Sequence, residues 1–186
     1  MRKAFTLVEL LVVIGIIAVL AGILLPVLSK ARAQSNRVAC RASLRDLGAS
    51  FVMYMADSKG RLPAVNTMPS VQPPLNNFPS IVKLLQPYIK TANKIFRCPS
   101  DQITKPTANA PAGFDTYFDR EASSYQYNPF LVIYAGKRTQ DTLAYSMGHP
   151  ELLTILDEYE PFHGQAGTKG SMNHLFGDMH VGSVGD

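Results

Sequence analysis

The sequence predicts an α+β fold in which a long N-terminal α-helix packs on a small antiparallel β-sheet. Three observations support this prediction. An apolar segment close to the N-terminus is followed directly by a region rich in helix-forming residues, and short strand-like segments occur only after residue 60. One long helix followed by several short strands is typical of the α+β class. The 186 residues are enough for this helix and one further domain.

The first part of the predicted helix comprises residues 5–28. Every residue from Leu10 to Leu28 is apolar, Gly or Pro, and Glu9 is the single charged residue within the apolar segment. At a rise of ~1.5 Å per residue, such a helix is about 36 Å long and can cross a hydrocarbon core of ~30 Å. A carboxylate there is energetically costly, which makes Glu9 a functional candidate.

The second part of the predicted helix comprises residues 29–57, which are rich in Ala, Arg, Leu and Met and contain no Pro. A helical apolar stripe is formed by Leu44, Leu47, Gly48, Phe51 and Met55. Gly60 is available to cap the helix. We expect the stripe to pack on the domain that follows.

The predicted globular domain comprises residues 58–186. Nine of the 13 prolines lie between Pro63 and Pro111, which indicates irregular loops broken by short elements. The short elements predicted from the pattern are a helix at 81–89 distorted by Pro87, strands at 125–128 and 131–134, an apolar run at 152–156, and a hairpin of 173–177 and 180–184.

The N-terminal residues Phe5-Thr6-Leu7-Val8-Glu9-Leu10-Leu11-Val12-Val13, after a short basic leader, resemble the type IV prepilin cleavage and methylation motif. The family's leader usually ends in Gly, and here it ends in Ala4. The resemblance implies that residues 1–4 are a leader, that a prepilin peptidase cuts between Ala4 and Phe5, and that the new Phe5 amine is methylated. It also implies that Glu9 pairs with the Phe5 amine of a neighbouring subunit during filament assembly, and that Pro26 kinks the helix.

The N-terminus has two other interpretations. A secretory signal cut after Ala21 would leave a mature start that is still apolar and would give Glu9 no role. A plain membrane anchor would only tolerate Glu9. The prepilin motif accounts for more of the segment than either.

The resemblance implies a single-pass protein of the cytoplasmic (inner) membrane, with the N-terminus inside and the C-terminal domain outside. The flanking charges favour the opposite orientation, because only Arg2 and Lys3 precede the apolar segment whereas five cations follow it between Lys30 and Arg45. The motif takes precedence, since the prepilin pathway keeps the N-terminus inside. We expect the basic stripe of Arg37, Arg41 and Arg45 to face solvent or lipid headgroups rather than nucleic acid.

The rest of the chain resembles a group of prepilin-type proteins abundant in planctomycete-like bacteria. The resemblance rests on three stretches: Cys40 to Gly48, Phe96 to Asp101, and Asn173 to Val181. The third corresponds to a family motif of the form NVLFADGHV, in which Met179 replaces the usual Gly. This resemblance bears on architecture more than on activity.

Cys40 and Cys98 are the only cysteines. In a domain outside the cytoplasmic membrane we expect them to form a disulfide, which would stabilise the fold by about 4 kcal/mol in the chain-entropy model. Two free buried thiols are the alternative.

No P-loop, nucleophile elbow or GxGxxG motif occurs, and we predict that the protein is not an enzyme. Asp157, Glu158 and Asp178 are the calcium candidates, and they would supply only part of the about six to eight oxygen ligands that calcium takes. No other cofactor is predicted.

The predicted function is that of a structural subunit, either a type IV pilin-like protein or a pseudopilin of a type II secretion system. The implied partners are a prepilin peptidase, like or related pilin subunits, an assembly ATPase with its inner-membrane platform, and membrane lipid. The alternative is a membrane-anchored envelope or surface protein that uses the prepilin export signal and binds a ligand, for example DNA during uptake.

Overall fold

The computed structural model describes residues 7–70, 77–89, 93–104, 111–142, 148–149 and 153–183. The chain divides into two compact units, Met1–Ser35 and Asn36–Asp186. The N-terminal helix α1, Leu7–Asp57, contributes residues to both units. Within the second unit α1 packs on a four-stranded antiparallel sheet, so the predicted α+β architecture is confirmed.

Helix α1 ends where the sequence predicts. Lys59 and Gly60 both have positive φ angles, of 54° and 74°. The Gly60 N–H donates to the carbonyl of Met55 at 2.8 Å. A residue in the left-handed conformation that closes the last turn is a common helix ending, and Gly adopts it without steric cost.

Two further α-helices are short and begin at side-chain caps. They are α2 (Ile81–Leu85) and α3 (Tyr117–Glu121). Ser80 and Thr116 accept hydrogen bonds from backbone N–H groups three residues further on, which satisfies donors that a helix start leaves open. The residues Gln86–Tyr88 continue α2 as a 3₁₀ turn around Pro87, as the sequence predicts.

Three other 3₁₀ segments occur in the described residues, at Asn93–Phe96, Pro129–Tyr134 and Thr139–Asp141. The strand predicted at 131–134 is wrong, because these residues belong to the second of these segments. Pro129 at its start has no N–H to donate to a neighbouring strand. The Asn128 side chain accepts from the Phe130 N–H at 2.9 Å and starts the turn instead.

The sheet has four strands in the order β1-β2-β3-β4, all antiparallel. They are β1 (Tyr125–Tyr127), β2 (Thr154–Glu158), β3 (Asn173–Phe176) and β4 (Val181–Ser183). The predicted C-terminal hairpin is therefore confirmed as β3 and β4. The register places Tyr125 opposite Glu158 and Leu156 opposite Leu175.

One face of the sheet is buried against α1. Asn173 and Leu175 are fully buried, whereas His174 and Phe176 between and after them are only partly buried. Gly48 of α1 lies over Leu175, where an added Cβ would meet the Leu175 Cδ1 atom at 2.9 Å. Glycine at this position lets the helix backbone approach the sheet closely.

The core of the second unit combines the predicted helical stripe with the sheet. Its largest fully buried side chains are Leu44, Leu47, Phe51, Leu62, Leu85, Phe96, Tyr125, Tyr127, Leu131, Ile155, Leu156 and Leu175. Met55, at the end of the stripe, is partly buried against this core.

Candidate functional site

The first part of α1 is an exposed apolar surface. Sixteen large apolar side chains between Leu7 and Leu28 are 47–78% exposed, and no residue in the most apolar window of the helix is buried. Burying one such side chain lowers the free energy by about 1.5–3 kcal/mol. Exposing the whole surface to water would therefore cost tens of kcal/mol. Its length and composition suit a membrane span, although a signal sequence would pass the same test. The apolar helix with the prepilin-type motif indicates membrane anchoring.

Glu9 lies in the first turn of α1, where the positive end of the helix dipole favours a carboxylate. Ala4 and Phe5, the predicted cleavage and methylation residues, lie outside the described residues. Pro26 lies inside the helix, and its carbonyl accepts a hydrogen bond from the Ser29 hydroxyl at 2.9 Å. The predicted kink at Pro26 and the predicted assembly role of Glu9 stay predictions.

The predicted disulfide is confirmed. Cys40 and Cys98 are bonded, with an S–S distance of 1.97 Å and Cα atoms 4.9 Å apart, across a sequence separation of 58 residues. Both residues are at most 1% exposed. The bond therefore joins α1 covalently to the segment that follows the 3₁₀ turn at Asn93–Phe96.

A buried carboxylate lies beside the disulfide. Glu158, at the end of β2, is fully buried. One of its oxygens accepts from the backbone N–H of Asn173 at 2.9 Å, and the other accepts from the Asn173 side-chain amide at 2.9 Å and lies 3.0 Å from His163 Nε2. The Arg41 guanidinium donates to the Asn173 side-chain oxygen at 3.0 Å. This network joins α1, β2, β3 and the loop before β3, and it gives hydrogen-bond partners to carboxylate oxygens that would otherwise be costly to bury.

His163 reaches the network through the loop between β2 and β3. Its N–H donates to the carbonyl of Ser171 at 3.0 Å, which closes the loop on itself. Gly167 and Gly170 within the loop have φ angles of 81° and 77°, which other residues rarely adopt. The His163 side chain is only 3% exposed and its Nε2 lies 3.7 Å from Cys98 Sγ.

A second carboxylate organises the residues beyond the disulfide. Asp101 accepts from the N–H groups of Tyr117 and Phe118 at 3.0 and 2.7 Å, and from the Ser124 hydroxyl at 2.7 Å. It therefore ties the start of α3 to the segment before β1. Burial raises the pKa of Asp101 above its ordinary value, and the hydrogen bonds from Ser124, Tyr117 and Phe118 oppose this only in part.

The structure does not bring the three calcium candidates together. Asp157 faces away from Glu158 along β2, and its carboxylate lies 2.6 Å from His174 Nδ1. Glu158 contacts Asn173 and His163 on the buried face. Asp178 lies in the turn after β3, 2.5 Å from His180 Nδ1. Calcium binding at these residues stays a prediction.

The turn around Asp178 keeps an unusual backbone. Met179 has a φ of 68°, the left-handed conformation that a Gly at this position would adopt at lower cost. The hairpin therefore forms despite the replacement of Gly by Met179.

Two members of the basic stripe are part of the fold. Arg41 bonds to Asn173, as described above, and Arg37 Nη2 donates to the Ser183 hydroxyl at 3.3 Å. The expectation that this face of the helix is directed at solvent or lipid is therefore wrong for Arg37 and Arg41, because both side chains reach the sheet. Arg45 is exposed.

The Glu158 network is the main feature that the sequence analysis missed. The alternation of β2 puts Asp157 and Glu158 on opposite faces, and this alternation is the signal that could have identified Glu158 as buried. Nothing local to His163 indicates that it reaches the same place.

The comparisons with known proteins agree with the N-terminal motif. The family model described as the prokaryotic N-terminal methylation motif matches residues 1–25. The chain is 46% identical over 56 residues to the type IV wide pilus major component PilA4 of Thermus thermophilus. The matched region is 30% of this chain and 43% of the relative, so the chain spans less than half the length of the curated relative it matches. No solved structure matches the chain significantly.

The matched motif, the similarity to a pilus component and the helix packed on an antiparallel sheet lead to the same conclusion. The chain carries a prepilin-type N-terminal motif on a pilin-like α+β architecture.

Proposed function

We propose that the protein is a structural, non-enzymatic subunit that polymerises through α1 into a type IV pilus or a type II secretion pseudopilus. The observation that carries this proposal is the exposed apolar surface of residues 7–28. Such a surface needs lipid before assembly and the helices of other subunits afterwards, and both environments bury the same side chains. The N-terminal methylation motif and the similarity to a pilus component support this proposal.

The proposed maturation begins with cleavage by a prepilin peptidase between Ala4 and Phe5, followed by methylation of the Phe5 amine. Glu9 then pairs with the Phe5 amine of a neighbouring subunit. A carboxylate and an ammonium in an apolar environment each carry a large desolvation cost, and a close pair offsets much of both. The pairing would fix the axial position of each incoming helix.

The proposed orientation has the N-terminus inside and the second unit outside the cytoplasmic membrane. The Cys40–Cys98 disulfide supports this orientation, because disulfides persist outside the cytoplasm. Exposed Lys30 and Arg32, just after the apolar segment, are suited to contacts with anionic lipid headgroups. An assembly ATPase and its inner-membrane platform would move the subunit from the membrane into the filament.

The test replaces Glu9 by Val, with Glu9→Asp as the matched control that keeps the charge. We expect Glu9→Val to be processed, which mass spectrometry of the N-terminus would show as a methylated Phe5. We expect it to remain in the membrane fraction and to be absent from sheared or pulled-down filaments, whereas Glu9→Asp retains part of its assembly. Normal incorporation of Glu9→Val into filaments would refute the assembly role.

The same experiment separates the alternative, a membrane-anchored binding protein that only borrows the export signal. That protein would keep its binding activity in the Glu9→Val variant, because anchoring does not need the carboxylate. A mature N-terminus at Met1 or Gly22 would overturn the processing route in both cases.

A further inference from the structure

Four potential metal ligands gather at the disulfide. Cys40 lies on α1, Cys98 follows the 3₁₀ turn at Asn93–Phe96, Glu158 ends β2 and His163 lies in the loop before β3. Their donor atoms all lie within 4.8 Å of one another. No other group of three or more His, Cys, Asp or Glu side chains gathers in this way in the described part of the chain.

The distances among the Cys98, His163 and Glu158 donor atoms lie close to those of a tetrahedral zinc site. His163 Nε2 is 3.0 Å from Glu158 Oε1, and Cys98 Sγ is 3.7 Å from His163 Nε2 and 4.0 Å from Glu158 Oε1. Zinc bonds of ~2.3 Å to sulfur and ~2.0–2.1 Å to nitrogen or oxygen place neighbouring donor atoms about 3.3–3.8 Å apart. The Cα atoms of Cys40 and Cys98 are 4.9 Å apart, so rotation of the side chains can direct both sulfurs at one ion.

The surroundings already hold the oxygen ligand in place. Asn173 contacts both carboxylate oxygens of Glu158, and Arg41 in turn holds the Asn173 amide. Such outer contacts orient metal ligands and raise affinity. The four ligands are also shielded from solvent, since the Cys98 and His163 side chains are nearly buried and the other two are fully buried.

We propose that the reduced form of this cluster binds one zinc ion through Cys40, Cys98, His163 and Glu158, and that the disulfide and the zinc complex are alternative states of one site. Two thiolate ligands with an imidazole favour zinc over calcium or magnesium.

The exchange between the states balances with a dithiol as reductant. The dithiol transfers two electrons and two protons to the Cys40–Cys98 bond, which leaves two thiols on the chain and a disulfide on the reductant. The zinc ion then displaces the two thiol protons as it binds. In the reverse direction, the disulfide form of the reductant takes two electrons from the two zinc-bound sulfurs and two protons from the solvent. The Cys40–Cys98 bond forms again, the reductant returns to its dithiol form and the ion is released.

Both states join the same two segments, α1 and the residues around Cys98. Zinc would therefore hold the second unit together in a chain whose cysteines are still reduced, before the disulfide forms. This role is independent of filament assembly and of Glu9.

The test uses the full chain in detergent, reduced with a dithiol and separated from it without oxygen, with Zn²⁺ and Co²⁺ as probes. We expect one zinc per reduced chain by elemental mass spectrometry and none per oxidised chain. The Co²⁺ complex should show the visible bands and sulfur charge-transfer absorption of a tetrahedral thiolate site. If reduction lowers the thermal midpoint, added zinc should raise it again.

The decisive variant is His163→Ala, with His180→Ala as the control because His180 is exposed and outside the cluster. Loss of an outer contact to a metal ligand typically weakens metal binding ~10–100-fold, and we expect loss of the ligand itself in His163→Ala to weaken zinc binding by more than this and to change the cobalt spectrum. We expect His180→Ala to change neither. Circular dichroism of the oxidised variants checks that both are folded. Equal zinc binding by reduced and oxidised chains, no stoichiometric binding after reduction, or unchanged binding in His163→Ala would each overturn the proposal.

Discussion

The close contact between Gly48 and Leu175 should leave no room for a side chain at position 48 of α1. An Ala Cβ at position 48 would lie 2.9 Å from Leu175 Cδ1, against an optimal carbon–carbon separation of ~3.5–4.0 Å. Leu175 is fully buried, so its methyl group has little room to retreat. We therefore expect Gly48→Ala to destabilise the second unit.

The magnitude follows from two opposing terms. Overpacking of this kind costs ~1–3 kcal/mol, while Ala in a helix interior is favoured over Gly by ~1 kcal/mol. The net expectation is a loss of about 1 kcal/mol in the free energy of unfolding. In a Leu175→Val background the clashing methyl group is absent, and the same Gly48→Ala change should stabilise by up to ~1 kcal/mol.

The assay is urea denaturation of the oxidised full chain in detergent, followed by near-ultraviolet circular dichroism. The sequence has eight tyrosines and no tryptophan, and the buried Tyr125 and Tyr127 report on the core. The double-mutant cycle should show a coupling energy of about 2 kcal/mol. Stabilisation by Gly48→Ala alone, or additivity of the two changes within ~0.5 kcal/mol, would refute the close-approach argument.

Two further predictions concern the disulfide and Asp101. Replacing Cys40 and Cys98 together by Ser should lower the free energy of unfolding by about 4 kcal/mol in urea titrations with a chelator present. A loss below ~1 kcal/mol would contradict a stabilising role of the disulfide. Because the pKa of Asp101 is raised in the folded state, its contribution to stability is fully present below the unfolded value of ~3.9 and is lost as pH rises through the raised value. The stability of the wild type relative to Asp101→Asn should therefore fall as pH rises through the acidic range. Urea midpoints measured at several pH values check this, and a difference between the two proteins that does not change with pH would contradict the linkage.

Much of the fold could be predicted because it depends on local patterns. The stripe of Leu44, Leu47 and Phe51 repeats at helical spacing, and all three residues are fully buried as expected. The hairpin of β3 and β4 follows from two short apolar segments flanking a turn.

The failure at residues 131–134 has a different cause. These four apolar residues suit a strand or a 3₁₀ helix equally well by composition, and short apolar runs are ambiguous in this respect. The proline and the asparagine cap just before them decided the outcome.

Part of the candidate site could also be predicted from the sequence. The N-terminal motif with Glu9 is continuous in sequence, so its residues could be identified without a structure, and the apolar segment could be recognised from composition alone. The pairing of Cys40 with Cys98 could be expected because the chain has only two cysteines.

The convergence of His163, Glu158 and Asn173 beside the disulfide was decided only by the tertiary structure. Glu158 becomes buried because strand alternation and the register with β3 direct it at α1, and His163 reaches it because a folded loop returns over the sheet. The contacts of Arg37 and Arg41 with the sheet likewise depend on packing and not on the spacing of these residues along the helix. The sequence by itself determines the periodicity along the chain and the nature of the N-terminal segment. The contacts of a buried polar side chain depend on partners that are distant in sequence, and only packing brings these partners within hydrogen-bonding distance.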